Sequence, residues 1–179
     1  IIITNFQEII GEYSKGAMKM KAIENMDDYY ILCGYGRVGK VVFEELTKRN
    51  QNVILFEKDE ELIEDIEDND SVVTINRDAT EDDLISRLAG DKCRSVIIST
   101  GDDVTNLFIV LTIRESNPDA WIVSRASKEE NYSRLRKAGA DKIVSPELIG
   151  GKDLYFESTR PHILKLTVRH TVDELYDIS

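Results

Sequence analysis

Tyr30-Ile31-Leu32-Cys33-Gly34-Tyr35-Gly36-Arg37-Val38-Gly39 decides the fold: an apolar run enters a Gly-x-Gly-x-x-Gly, and a helical pattern from Val38 to Leu46 leaves it. Strand, glycine turn and helix in that order are the context in which the glycine pattern becomes a dinucleotide fingerprint. Gly34 makes the tight turn, Gly36 opens the backbone to a pyrophosphate, and Gly39 lets the helix pack on the strand. Free amides at the helix start then face phosphate. Outward along the chain, Val53-Ile54-Leu55-Phe56 reads as the next strand and ends in Glu57, 18 residues after Gly39. An acid there can accept the ribose hydroxyls.

From Tyr29 onward strands and helices alternate. Strands read at about 29–33, 52–56, 71–75, 95–100, 120–124 and 142–144, and helices at about 37–49, 59–68, 80–89, 103–116 and 128–138. Strict alternation means an α/β fold with a doubly wound, Rossmann-like parallel sheet of about six strands, and right-handed crossovers give the order 3-2-1-4-5-6. Pro146 stops the sixth strand, Gly150-Gly151 punctuates, and a last helical stretch runs over about 153–170 with Pro161 kinking or restarting it. Ahead of the first strand, Phe6, Ile9, Ile10 and Tyr13 form an apolar helical stripe, followed by Lys15, Lys19 and Lys21 among methionines. We read 1–28 as an N-terminal linker segment, 29–150 as the Rossmann lobe and 151–179 as a crossover region. The chain opens at Ile1 rather than Met, so upstream sequence is expected.

The 179 residues carry a formal net charge of −11, which excludes a nucleic-acid backbone as partner. Cys33 closes the first strand and Cys93 precedes the fourth, toward opposite edges of the sheet, and both read as free thiols. No apolar run reaches the roughly 18 residues of a membrane span. Residues 57–70 hold nine acids and one lysine, read as a solvated helix face over the apolar Leu62, Ile63 and Ile66. His162 and His170 lack metal-ligand spacing. No tyrosine is followed at +4 by lysine, and no nucleophile elbow or Gly-Lys-Ser/Thr phosphate loop is present. A binding site without a catalyst points to a sensor and not an enzyme.

Further motifs carry a resemblance. Gly34-Tyr35-Gly36-Arg37-Val38-Gly39 is joined by Arg77-Asp78-Ala79-Thr80, by Gly101-Asp102-Asp103 with Asn106, by Arg125-Ala126, and by Ala138-Gly139-Ala140-Asp141 with Val144-Ser145-Pro146. Over about residues 28–150 the chain resembles the domain that regulates the conductance of potassium, the RCK or KTN-type Rossmann domain of prokaryotic potassium channels and uptake systems. The resemblance has Arg77 where the family has glycine. It implies a cytosolic regulatory domain at the membrane face of a potassium channel, a crossover helix that pairs subunits as a homodimer, and an octameric gating ring under the pore domain.

The resemblance also implies a cleft for an adenine nucleotide, with NAD(H) and ATP/ADP both open. The amides of Gly34, Tyr35, Gly36, Arg37, Val38 and Gly39 would hold phosphate, with Arg37 reaching a phosphate or a neighbouring subunit. Glu57, followed by Lys58, would take the ribose. Asp78 and Ala79 would lie at the adenine, with Thr100 and Arg125 on the same cleft. The residues themselves leave Asp78 open as a helix cap, Arg125 as a sheet-edge ion pair and Asn106 as a structural bond. Calcium-gated relatives place two glutamates where this chain has Arg125 and Ser127, so calcium is not expected at the cleft. Two rivals remain: a peripheral subunit of a potassium-uptake transporter, and a small NAD-dependent oxidoreductase.

Overall fold

A computed structural model describes residues 16–159, apart from 82. The apolar stripe from Phe6 to Tyr13, Pro161, His162, His170 and the crossover beyond Thr159 lie outside the described residues. Along the chain come helix α1 (16–25), β1 (Tyr29–Cys33), α2 (Arg37–Lys48), β2 (Asn52–Glu57), β3 (Val72–Asn76) and α3 (Asp83–Leu88). Then follow β4 (Cys93–Ile98), α4 (Asp103–Ser116), β5 (Ile122–Arg125), α5 (Tyr132–Ala138), β6 (Lys142–Val144) and α6 (Pro146–Thr159). The strands form one sheet in the order β3-β2-β1-β4-β5-β6, every pair parallel, as the alternation predicts. The described residues divide into two compact units between Val144 and Ser145.

The central strands are apolar on both faces, as a covered parallel sheet requires. Side chains alternate by face. Leu32, Val53 and Leu55 pack with Val42, Phe43 and Leu46 of α2. Ile31, Cys33, Ile54 and Phe56 join the larger core with α3, α4 and α5. Helix α1 is docked on that core: Ile23 and Met26 are buried, and Lys19 Nζ donates to the Thr74 carbonyl (2.7 Å) while pairing with Asp68 (2.9 Å). Cys33 and Cys93 are free and stand at opposite ends of adjacent strands.

Three expectations fail. The acidic stretch is not a helix over 59–68. It makes a single 3-10 turn at Glu60–Leu62 and continues irregularly. Helix spacing would stack like charges at Glu60/Glu64, Glu61/Asp65 and Glu64/Asp68. The side chains also bond backbone in ways a helix over 59–68 would not allow: Asp59 caps the 3-10 turn at the Glu61 amide, Asp68 accepts from the Thr74 amide, and Asn69 from the Ser71 and Val72 amides. Second, α3 begins at Asp83 and not near 80, because residues 78–81 form a turn. Third, Gly150-Gly151 does not interrupt the chain, for α6 runs through both. Pro146 opens that helix at the position where proline costs no hydrogen bond, and the Ser145 hydroxyl accepts from the Leu148 amide (3.2 Å).

Candidate nucleotide-binding site

At the carboxyl ends of β1 to β4 lies a cavity of about 350 Å³. Open α/β sheets bind ligands at this place, where the strand order reverses between β1 and β4. Its floor is the glycine turn. Gly34 has φ +94°, which a side chain rarely adopts, and its amide donates to the Phe56 carbonyl (2.8 Å). A Cβ on Gly39 would stand 2.0 Å from the Gly34 carbonyl oxygen, so the helix can approach only without one. A Cβ on Gly36 would meet nothing within 4 Å. That open space in front of the first turn of α2 is where the fingerprint places phosphate. Just past the end of β4, the Ser99 hydroxyl donates to the carbonyls of Cys33 (3.1 Å) and Gly34 (2.9 Å) and fixes the turn against the neighbouring strand.

Glu57 is buried at the end of β2 with both carboxylate oxygens in use: Oε2 accepts from the Tyr35 amide (2.6 Å) and Oε1 from the Asp59 amide (2.9 Å). It therefore clamps the glycine loop as well as facing the cavity. Each oxygen keeps a second acceptor direction for a ribose hydroxyl. Beside it, Asn76 donates to the Glu57 and Lys58 carbonyls, 3.1 Å each, and sets the backbone where β2 ends.

Asp78 caps the turn before α3 rather than the helix itself. Its Oδ1 accepts from the Thr80 amide (2.9 Å) and hydroxyl (2.7 Å), and these bonds hold its carboxyl below the usual range, with Lys58 adding to the effect. Asp102 caps α4 and is likewise lowered, first by the hydroxyl and amide of Thr105. The tips of β4 and β5 are tied together by Asn106, fully buried. Its Nδ2 donates to the Thr100 (3.3 Å) and Arg125 (3.1 Å) carbonyls, and its Oδ1 accepts from the Thr100 hydroxyl (2.6 Å). Arg125 Nη1 donates to the Thr100 carbonyl (3.2 Å).

Of the candidate residues, Gly34, Gly36, Glu57, Lys58, Asp78, Ala79 and Thr100 line the cavity. Tyr35, Arg37, Val38, Gly39 and Arg125 do not. Tyr35 contributes its amide to Glu57, while its ring packs edge-on against Phe43 (5.3 Å) under Lys40 (5.4 Å). Arg37 is exposed at the start of α2. Strand alternation would turn Lys58 to the other face of the sheet. β2 ends at Glu57, so alternation stops there, and Lys58 lines the cavity instead. Residues the sequence reading left out of the site also line it: Cys33, Phe56, Leu62, Arg77, Gly101, Asp102, Thr105 and Ile109. Arg77 was visible as the departure from glycine, and Asp102 with Thr105 as a helix-capping pair.

The Gly139–Asp141 stretch has a structural basis away from this cavity. Gly139 closes α5 at φ +111°, and a Cβ there would come within 2.8 Å of the Arg114 side chain. Arg114 donates to the carbonyls of Gly139 (2.7 Å) and Pro118 and to Asp141 (2.9 Å), and Asp141 also accepts from the Ile122 amide (2.7 Å).

The sequence profile of the TrkA-N domain matches residues 30–146. The chain belongs to the TrkA-N domain family. Among curated proteins, this TrkA-N chain is 34% identical to potassium channel protein 1 of Methanocaldococcus jannaschii over 155 residues, which is 86% of the chain and 46% of that protein. Among solved structures it is similar to the GsuK channel bound to NAD, with 34% identity, a TM-score of 0.61, and coverage of 73% of this chain and 23% of that one. GsuK bound to ADP gives 29% identity and a TM-score of 0.63, covering 80% of this chain and 39% of that one. The chain spans between about a quarter and about half of the length of the curated relatives it matches first. No helix among the described residues is long and apolar enough to cross a membrane.

Proposed function

We propose that this TrkA-N domain is the ligand-sensing regulatory part of a potassium channel, on the cytoplasmic face of the membrane, and that it binds an adenine nucleotide or NAD(H) in the cavity at the β1–β4 tips. One observation carries the reading: a glycine turn with open space at Gly36 and a buried acid at Glu57 line one cavity. Relatives that are potassium channel proteins, and GsuK structures with ADP or NAD, support the choice of class. Phosphate would meet the amides of the first turn of α2, ribose the second lone pairs of Glu57, and adenine the tips of β2 and β3.

The domain's role would be regulatory and not catalytic, with residues 29–150 as the sensing lobe and 1–28 leading in from upstream. On α6, Leu154 (75% exposed), Tyr155 (62%) and Phe156 (44%) offer an apolar surface for pairing with a second copy within 151–179. Nucleotide would favour one arrangement of such pairs over another, and the shift in population would bias the pore. The test is current through the full-length channel in a planar bilayer with ADP or NAD added on the cytoplasmic side. A dose-dependent change in open probability is expected, and it should vanish in Gly36→Asp. Indifference of the current to every adenine nucleotide would contradict the reading.

A further inference from the structure

We propose that helix α1 is the element through which the cavity acts on the polypeptide upstream of it, and that Lys19 is the positioning residue that holds α1 to the cavity wall. The proposal rests on the regulatory reading above and names the part of the lobe that carries the signal out.

The chain from Glu57 to Ile63 and the tip of β3 form a wall shared by two hollows. One is the cavity at the β1–β4 tips. The other is a groove of about 500 Å³ with Met18, Lys19 and Ala22 of α1 on one side and Ile63, Asp68 and Thr74 on the other. Neighbours in sequence face opposite ways: Leu62 lines the cavity and Ile63 the groove, while Arg77 lines the cavity and Asn76 the groove. Asn76 fastens the two runs of wall together through the Glu57 and Lys58 carbonyls. A ligand that engages Glu57 and Lys58 therefore acts on one surface of this wall while α1 rests on the other.

Alpha-helix α1 is held at both ends. Ile23 and Met26 are buried where it leads into β1, and Lys92 Nζ donates to the Glu24 carbonyl (3.1 Å) and pairs with Asp27 (2.9 Å). Toward its start, Lys19 Nζ donates to the Thr74 carbonyl (2.7 Å) and hydroxyl (3.0 Å) and pairs with Asp68 (2.9 Å). All three protons of the ammonium are engaged. The Thr74 hydroxyl in turn donates to the second Asp68 oxygen (2.9 Å), which closes the triangle. Thr74 is buried in β3, two residues before Asn76, so these bonds tie the receiving end of α1 to the strand that borders the cavity. An attached helix passes a displacement of the wall to the chain ahead of it. A frayed one absorbs it.

The experiment compares wild type, Lys19→Met, Lys19→Arg and Asp68→Asn in three readouts: ADP affinity by calorimetry, hydrogen exchange of residues 16–25, and current through the full-length channel with ADP on the cytoplasmic side. Methionine keeps the aliphatic stem and removes the three bonds. Asparagine at 68 keeps the acceptor for Thr74 and loses the ion pair. Neither residue lines the nucleotide cavity, so Lys19→Met and Asp68→Asn should bind ADP within about threefold of wild type. Exchange over 16–20 should quicken about tenfold or more with β1 unchanged, and the response of open probability to ADP should fall about fivefold or more. Lys19→Arg should keep at least half of the wild-type response. A full response in Lys19→Met and Asp68→Asn, or a loss of response matched by an equal loss of ADP affinity, would overturn the proposal and leave the regulatory reading intact. A wild-type channel that binds no ADP and ignores it would overturn both.

Discussion

Replacing Glu57 by alanine removes the acceptor of two backbone amides as well as the proposed ribose acceptor. The Tyr35 and Asp59 amides each lose a bond to a charged oxygen, at 2.6 and 2.9 Å. Such bonds contribute about 1.5–3 kcal/mol each. Glu57 lines a cavity open to solvent, so water entering in its place recovers part of the loss, and we expect about 2 kcal/mol of destabilisation. At roughly 2–4 °C per kcal/mol for a domain of this size, the melting temperature should fall by about 4–8 °C. Adenine-nucleotide affinity should fall by about tenfold or more, one order per ~1.4 kcal/mol. The assay is thermal unfolding by circular dichroism together with calorimetric titration. Glu57→Gln is the companion variant, keeping shape and one acceptor while opposing a donor to one amide, and its melting temperature should lie between the other two. If Glu57→Ala melts with the wild type and binds nucleotide equally well, the clamp on the glycine loop and the placement of the ribose are both wrong.

Gly39→Ala should fail to give a cooperatively folded domain, because its methyl would overlap the Gly34 carbonyl; a cooperative melt near the wild-type temperature would contradict this. Arg114→Ala should lower stability by about 2 kcal/mol in urea unfolding, since it strands the half-buried carbonyl of Gly139, unpairs Asp141 and frees the turn before β6. Burial pushes the Asp103 carboxyl up, but its bonds from Ser127, Asn131 and Lys128 outweigh that and leave it lowered. A lowered folded-state value gives stability that is full above the ordinary aspartate range and is lost as pH falls through the folded value. The stability gap between wild type and Asp103→Asn should therefore be widest near pH 7 and close below about pH 4, as measured by urea midpoints. Burial pushes the Cys33 thiol well up and the Cys93 thiol to about 11, so neither should react with a thiol reagent at pH 8 until the protein is unfolded.

Sheet order and the glycine turn were legible because they follow from local rules. Apolar strand runs and Gly34, Gly36 and Gly39 specify their own surroundings, and right-handed crossovers leave one order. The acidic stretch was not legible because Asp68 and Asn69 bond the backbone of a strand that follows them in sequence, a tertiary preference that periodicity does not register. Lys58 was placed in the cleft by the resemblance, and it lines the cavity because β2 ends at Glu57 and strand alternation does not extend to it. Arg125 could be placed at a strand tip from sequence, but its bond to Thr100 depends on β4 and β5 being neighbours and on Asn106 between them. Glu57 was found as an acid at the right distance from the glycines. Its grip on the Tyr35 amide appears only once β1 and β2 are paired.

The central claim is that phosphate occupies the open space at Gly36, and Gly36→Asp tests it with opposite signs on folding and binding. Gly36 is the N-cap of α2, a place where aspartate is favoured, and a Cβ there meets nothing. The same carboxylate would stand where the phosphate must lie. ADP titrated into both proteins, with thermal melts alongside, should show one site on the wild type and binding at least a hundredfold weaker on Gly36→Asp, whose melting temperature is equal or higher. Unchanged ADP affinity in a well-folded Gly36→Asp would contradict the account.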